Sequence, residues 1–461
     1  MSMSDAQYAA WLADMGQQRT LLIELDHSGG TEYIANAPYI SRPGDTSPNR
    51  SYDDVISEAI DISSRIDGAM DVGEITLIND GTLDTWAAIK WRGHAVRMFL
   101  GAIDWSLDDF RQVANVINDG ITEISPGILR FGIRDGKAVL DQPLQSALLA
   151  SGQPVPIALG EPFNVLPALT DDPTHEYQIN ENSITSAVVR DNGAVVSHTA
   201  DYSNGKYTLS ARPQGNLGTD VVEANGTAKE IINWVCTRFG LTANQTTLNA
   251  LPTYTLGLYY ADETTAAQVL DDVCSSLGAF WLVNAAGEVE AYAITAPALV
   301  ADLTITADDV AAGQLQLETM EPPVKTLKFN YNRNFAPVAR NSLAGMLDTS
   351  PALAEQLTEP WQQVSTANTV TDYPLAGDQV VDSYITGTTN AQTECDRVAA
   401  VKSQRREVWS VECFLAPSQV KIGQTVELIN PRFGFANGKK GLVIAINRSY
   451  TRNRIGLELW L

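Results

Sequence analysis

Short runs of alternating apolar and polar residues dominate the first quarter of the chain. The run over residues 73–78 alternates as a strand does, and an Asn-Asp-Gly turn signal follows it at 79–81. Two more runs, over residues 86–91 and 94–100, lie close behind. Strands of this length, joined by turns at this spacing, are typical of an all-β barrel or sandwich.

A short amphipathic helix is predicted ahead of these strands, over residues 4–15. Ser4 can cap its N-terminus. One face carries apolar residues at helical spacing, namely Tyr8, Trp11, Leu12 and Met15. We expect this face to pack on its own domain, with docking on a neighbouring subunit as the alternative.

A proline-rich passage interrupts the strands of residues 126–220. It spans residues 154–167 and cannot be a central strand, because proline has no N–H to donate to a ladder. We interpret it as an extended segment that wraps a neighbouring surface. The residues nominated as interface are Pro154, Pro156, Pro162, Phe163 and Pro167.

The periodicity changes near residue 226. Thr227 and Thr264 can each cap a helix with one apolar face, and a hairpin is predicted over residues 279–292. This part is predicted to be a compact α+β lobe. Strand patterns return from residue 324 to the end, so the fold class is predicted to be mainly β with an inserted α+β lobe.

Charge is unevenly distributed along the 461 residues. Lys and Arg number 31 and Asp and Glu number 55, which gives a net charge of −24. A chain this acidic is a poor general binder of nucleic acid, because phosphate neutralisation needs clustered cations. Residues 402–461 carry ten basic and four acidic side chains, so they are at +6 and the rest of the chain is at −30. Two interpretations stay open: a basic face that meets an acidic face of another subunit, or a solvated basic hairpin. For the first, we nominate Arg448, Arg452 and Arg454.

Motifs that carry chemistry are absent from the sequence. The four cysteines are far apart, none of the four histidines lies in a metal-binding pattern, and no nucleophile elbow, dinucleotide or Walker A motif occurs. Acidic loops at 104–109, 170–173 and 191–193 allow a sugar or calcium site but fit polar turns better. We therefore nominate no catalytic residue, cofactor or metal ligand and expect no enzyme. Apolar runs are too short for a membrane span, and the N-terminus has no signal-peptide pattern.

Several segments resemble the tail-tip proteins of tailed bacteriophages, in particular siphophage-type baseplate hubs. They include Gly-Glu-Ile-Thr-Leu-Ile-Asn-Asp-Gly at 73–81, Gly-Glu-Pro-Phe-Asn-Val-Leu-Pro at 160–167, Gly-Ala-Phe-Trp at 278–281 and Asn-Arg-Ile-Gly-Leu-Glu-Leu-Trp at 453–460. The resemblance covers most of the chain and is weakest over residues 335–390.

The resemblance implies a homotrimeric hub with two tail-tube-like β-barrel domains per chain. Six barrels from three chains would match a sixfold tube above and a threefold tip below. The domains it suggests are 1–125, a first β-barrel with an N-terminal helix; 126–220, a β-rich connecting domain; 221–300, the α+β lobe; and 301–461, a second β-barrel.

The implied setting is the tail tip of a virion made in the bacterial host cytoplasm. The implied partners are distal tail or tail tube proteins, the tape measure protein, and tail fibre or spike proteins. DNA would only pass through the lumen, where an acidic wall prevents adhesion, and no membrane span is expected.

Three alternatives compete with the hub. A hexameric distal tail protein has one barrel per chain, so the second β domain argues against it. A carbohydrate-binding receptor module would use exposed aromatic faces, and the tryptophans that suggest it are Trp86, Trp91, Trp105 and Trp281. A cell-wall hydrolase has the least support, because no catalytic pattern is present.

Overall fold

Strands dominate the architecture and form two large curled sheets, each a half-barrel. The computed structural model describes residues 3–461 with the exception of 15, 59, 67–69, 72, 416 and 451. An α+β lobe and several smaller sheets lie between the half-barrels in the sequence. The predicted fold class, mainly β with two barrel-like domains, is confirmed.

The first half-barrel follows helix α1, Asp5–Ala13. Its strands and the hairpin β5–β6 are β1 Thr20–His27, β2 Gly30–Ala35, β3 Tyr39–Ile40, β4 Ser51–Asp54, β5 Asp61–Arg65, β6 Met70–Asp71, β7 Glu74–Asn79, β8 Ala95–Gly101, β9 Arg111–Ser125 and β10 Gly127–Arg134. Eight of them form a sheet in the order β3-β4-β2-β1-β8-β9-β10-β7. The sheet curls because Val55 links its two sides: its N–H donates to Ala35 on β2 at 3.2 Å, and its carbonyl accepts from Ile78 on β7 at 2.7 Å.

Helix α1 is formed and placed as the sequence predicts. Ser4 and Gln7 make a reciprocal capping box at its start. Tyr8, Trp11 and Leu12 are buried in the chain's own core, while Met15 lies outside the described residues. The apolar face therefore packs on its own domain.

The strand predicted over residues 86–91 is wrong. Asp84–Ala88 form a 3-10 helical turn instead. The Trp91 indole N–H donates to the Trp86 carbonyl at 3.0 Å, and the two buried rings lie 5.1 Å apart. A strand would send side chains five positions apart to opposite faces, whereas the turn brings both indoles into the core.

Two small sheets follow the first half-barrel. Strand β11, Ile157–Gly160, comes first and lies outside both sheets. The strands of the two sheets are β12 Ala168–Asp171, β13 Glu176–Gln178, β14 Ser186–Asp191, β15 Ala194–Val195, β16 His198–Asp201, β17 Lys206–Leu209 and β18 Leu217–Val222. The sheets run β12-β13-β17-β16 and β15-β14-β18. They share a small core that contains Tyr177, Val189 and Tyr207.

The lobe contains the helices and hairpin that the sequence predicts. Its elements are α2 Ala228–Arg238, β19 Thr242–Ala243, α3 Gln245–Leu248, β20 Gly257–Tyr260, α4 Ala266–Ser276, β21 Ala279–Val283 and β22 Glu288–Ala293. Thr227 and Glu230 form a capping box at α2, and Thr265 caps α4, one residue after the predicted Thr264. The domain limits drawn from the sequence stay a prediction.

The remaining elements build a three-stranded sheet and the second half-barrel. They are β23 Leu303–Ile305, β24 Val310–Glu321, β25 Thr326–Tyr331, α5 Pro351–Thr358, β26 Gln362–Ala367, β27 Asp378–Asp382, α6 Thr388–Val401, β28 Arg406–Phe414, β29 Thr425–Leu428, β30 Lys439–Ser449 and β31 Arg454–Trp460. The half-barrel runs β23-β29-β30-β31-β28-β24. The small sheet, β26-β25-β27, packs on α6, and Leu327 and Phe329 join the hydrophobic core of the lobe.

The two half-barrels are joined by a strand and by a common core. Strand β5 leaves the first half-barrel and pairs with β30 of the second, where Ile62 lies opposite Arg448. Buried side chains of both form one hydrophobic cluster, which includes Met98 and Phe131 from the first and Leu457 from the second. The half-barrels are therefore held in a fixed relation within one chain.

Candidate assembly surfaces

The face of the first half-barrel opposite its main core carries ion pairs beside a small buried cluster that includes Leu22 and Tyr52. Alternation along β1 and β8 turns Ile23 and Met98 inward and leaves Glu24, Asp26 and Arg97 on the other face. Arg97 donates to Glu24 at 3.1 Å and to both oxygens of Asp26 at 2.7 and 2.8 Å. Arg50 donates to the other oxygen of Glu24 at 2.8 Å. Glu24 and Asp26 are therefore both paired with arginines.

The pairing lowers the pKa of Asp26. Burial by itself would raise this pKa, but the hydrogen bonds from Arg97 and Thr31 outweigh burial, so the pKa lies below its ordinary value of 3.8. Because the folded-state pKa lies below the unfolded one, the carboxylate stabilises the fold above the unfolded value. That contribution disappears as the pH falls through the folded-state value.

Asp26→Asn is expected to reduce the acid sensitivity of the protein. The wild-type free energy of unfolding should fall as the pH goes from about 5 to about 3, and the variant should lose less over this range because its side chain does not titrate. Urea unfolding at stepped pH measures the difference. Asp53→Asn, at an exposed position, is the control and should follow the wild type. Equal pH slopes for Asp26→Asn and wild type would contradict the assignment.

The second half-barrel repeats this arrangement. Val411 and Leu457 point into the core, and the intervening residues of β28 and β31 point to the other face. On that face Arg65 pairs with Glu458 at 3.0 Å, and Arg454 pairs with Glu412 at 3.2 Å. Each half-barrel thus has one apolar face on the shared core and ion pairs on the opposite face.

The segment 154–167 runs between strands of its own chain. β11 pairs with β20, and the Val165 N–H donates to Thr219 on β18 at 2.8 Å. The structure buries Pro156, Pro162 and Pro167, and it leaves Pro154 and Phe163 half-buried. The segment therefore ties the lobe to a small sheet, and its role in contacts between subunits stays a prediction.

The three nominated arginines lie at one end of the second half-barrel. Arg448 donates to the carbonyls of Ser418 and Val420, at 3.2 and 2.5 Å. Arg452 lies 3.6 Å from Asp61, and Arg454 pairs with Glu412. Each has a partner within the chain, and a role between subunits stays a prediction for them too.

The opposite end of this half-barrel carries further basic residues of the C-terminal stretch. They come from the start of β28, the β29–β30 connection and the start of β30, and they are Arg405, Arg432, Lys439 and Lys440. The adjacent pair Lys439-Lys440 is the sequence signal that points there. Only the fold shows that Leu299, which is 91% exposed, belongs to the same end.

The tryptophans behind the carbohydrate alternative take part in packing. Trp86, Trp91 and Trp281 are buried. Trp105 is half-buried, and its ring lies 4.5 Å from that of Trp11. None of the four offers an open face for a sugar ring, so this alternative loses the residues that suggested it.

A cleft of about 470 Å³ lies where α1, the β21–β22 hairpin and the second half-barrel meet. Its charged lining includes Arg111, Glu290 and Arg448. Glu290 already accepts hydrogen bonds from Asn244, Asn284 and Tyr292. The Glu290 carboxylate thus serves the local fold.

Among the described residues, no three His, Cys, Asp or Glu side chains come together as a metal ion would require. No helix in the same part of the chain is both long and apolar enough to cross a bilayer.

Comparison with known proteins gave matches only among solved structures. No protein-family model matches the chain, and no curated protein matches it. The 43 kDa tail protein of prophage MuSo2 from Shewanella oneidensis is 10% identical, with 96% of this chain and 98% of that chain covered and a TM-score of 0.45. The prophage tail protein gp18 from Listeria monocytogenes is 8% identical, with 95% and 94% covered and a TM-score of 0.46.

A third similar structure is a chain of the native gene transfer agent virion. It is 12% identical, covers 71% of this chain and 92% of its own length, and has a TM-score of 0.46. All three overlays are too loose to transfer a function residue by residue. The solved structures to which this chain is similar thus include tail proteins of prophages and a chain of a virion.

Proposed function

We propose that the protein is the trimeric baseplate hub at the distal end of a bacteriophage tail tube. In this role it adapts a sixfold tube to a threefold tip during host attachment and DNA delivery, and it is not an enzyme. The observation that carries the proposal is the pair of half-barrels in one chain, joined by β5 and by a common core. Three such chains supply six similar units around one axis.

Strand edges offer a way to close the ring. Among the described residues, β24 pairs only with β28 and forms the end of the second half-barrel sheet. An uncovered edge strand presents a row of N–H and C=O groups to another chain. In this proposal β24 of one subunit contacts the first half-barrel of the next, in a head-to-tail arrangement that closes after three chains.

In this proposal, the residues nominated from the sequence belong to the contacts between subunits. Pro154 and Phe163 keep part of their surface exposed. Arg448, Arg452 and Arg454 end the second half-barrel beside β5. The buried Pro156, Pro162 and Pro167 act indirectly, since they fix the course of the segment that carries the exposed positions.

The ion-paired faces suit a channel wall. Their arginines are engaged by carboxylates, as Arg97 is by Asp26, and the chain as a whole carries −24. A wall of this kind offers phosphates few free cations, so DNA slides without adhering. The partners in this proposal are distal tail or tube proteins, the tape measure protein, and fibre or spike proteins.

Native mass measurement of the purified full-length chain tests the proposal. We expect three copies per particle. Six copies would favour the hexameric distal tail protein, in which one barrel per chain suffices. A chain that stays monomeric at every concentration would contradict a ring-forming role.

A further inference from the structure

One end of the second half-barrel combines basic side chains with exposed apolar ones. We define this basic end by Arg405, Arg432, Lys439 and Lys440, together with Leu299 and Phe433. Lys440 donates to the Leu299 carbonyl, which ties the loop before β23 to the start of β30. Phe433 is exposed and packs on Trp409 at 5.5 Å between ring centroids. Acidic residues here include Glu407, which is buried beneath Arg405 and Lys439, and the half-buried Glu427, which lies opposite Lys440 in the β29–β30 ladder.

The basic end stands out against a strongly acidic molecule. Residues 402–461 carry +6 and the remaining chain −30. The basic end combines exposed apolar side chains, Leu299 and Phe433, with cations, and a mixture of apolar and charged surface is typical of a protein interface.

DNA is a weaker match for the same surface. Leu299 and Phe433, which are 91% and 53% exposed, lie among its cations. A phosphate backbone gains nothing from covering these apolar side chains, whereas a protein surface buries them.

The first half-barrel carries a surface of opposite charge. Its loop 103–109 presents Asp104 and Asp108, and exposed isoleucines lie close by in the sheet and loop, namely Ile40 at 67% and Ile103 at 40%. Arg42, in the loop between β3 and β4, donates to the Asp104 carbonyl and links that loop to loop 103–109. Asp45 and Asp109 add carboxylates that are bonded to Ser106 and to the Met3 N–H. We call this surface the acidic loop.

We propose that the basic end docks on the acidic loop of a second copy of this chain. The inference rests on the proposed ring, and it identifies a subunit contact within it. Basic and acidic surfaces on different half-barrels of one chain make a head-to-tail contact, and such a contact forms a ring when each copy is rotated by one third of a turn. Charge complementarity sets the partner, and the apolar residues Leu299 and Ile40 supply buried area.

Charge reversal of the full-length chain tests the contact. Lys439→Glu/Lys440→Glu is expected to raise the protein concentration for half-assembly about tenfold or more, as measured by mass photometry. Asp104→Lys/Asp108→Lys should have the same effect. The variant with all four substitutions should assemble again, because the charges are exchanged rather than lost.

The matched control reverses two charges elsewhere. Arg92 and Arg212 are 70% and 71% exposed, and each lies near an aspartate. Arg92→Glu/Arg212→Glu should assemble as the wild type does. Circular dichroism of every variant confirms that the fold is intact, and restoration in the fourfold variant separates a docking defect from a folding defect.

The outcomes separate this inference from the proposed function. If the wild type forms trimers and either double reversal leaves assembly unchanged, or the fourfold variant fails to restore it, the docking is wrong while the ring stands. Retarded migration of a DNA duplex that Lys439→Glu/Lys440→Glu abolishes, with assembly unchanged, would assign the basic end to DNA instead. A monomeric wild type would overturn the ring itself.

Discussion

Gly160→Ala is expected to lower the free energy of unfolding by about 3 kcal/mol or more. Gly160 has a φ of +68°, in the left-handed region. A Cβ at this position would lie 2.0 Å from the carbonyl oxygen of Leu256 and 3.1 Å from its carbon. Both are backbone atoms next to the β11–β20 pairing, where Gly160 lies opposite Gly257. The backbone must therefore separate, and the segment 154–167 loses its register.

Gly152→Ala is the matched control. Gly152 has a φ of +85°, and a Cβ there meets nothing within 4 Å. Its cost is the backbone conformation alone, about 1 kcal/mol. Urea unfolding of the two variants separates the close contact from the backbone term. Equal losses of unfolding free energy in both variants would mean that the segment 154–167 is not tightly packed against the lobe.

Arg397→Ala is expected to cost about 3–5 kcal/mol, because it leaves a buried carboxylate without its partner. Glu394 on α6 is fully buried, and Arg397 donates to both of its oxygens at 3.1 Å. The same guanidinium donates to the carbonyls of Ile294 at 2.6 Å and Leu277 at 2.8 Å. It therefore holds the end of α4 and the end of the β21–β22 hairpin against α6.

Hydrogen exchange by mass spectrometry localises this effect. Peptides from α4, β21 and β22 should exchange faster in Arg397→Ala, while peptides from the first half-barrel should keep their wild-type rates. Glu394→Gln/Arg397→Met removes both charges and should be less destabilised than Arg397→Ala, because no unpaired charge is left buried. Wild-type exchange rates in the lobe of Arg397→Ala would show that Arg397 does not hold α4 and the β21–β22 hairpin against α6.

Local patterns predicted much of the secondary structure. Alternation along residues 73–78 gives β7, and Thr227 with the apolar spacing behind it gives α2. These signals depend on neighbouring residues, so a single sequence contains them. The turn at Asp84–Ala88 was missed because it is set by the packing of Trp86 on Trp91, and packing overrides the alternation.

The pairing of strands that are distant in the chain could not be predicted from the sequence. β5 joins β30 across almost the whole chain, with Asp61 opposite Ser449, and periodicity does not say which strands become neighbours. The same limit applies to the candidate surfaces. A count of charges finds the basic C-terminal stretch, but it does not tell that Arg452 meets Asp61 while Lys440 meets the loop at Leu299.

Cryo-electron microscopy of the assembled full-length chain, averaged without imposed symmetry, gives the most direct test of the account. It predicts three copies around one axis whose half-barrels alternate, first and second, in a ring of six units, with the ion-paired faces of Asp26 and Glu458 toward the opening. A ring in which six chains each contribute one half-barrel, or an assembly whose opening is lined by the lobes, would contradict it.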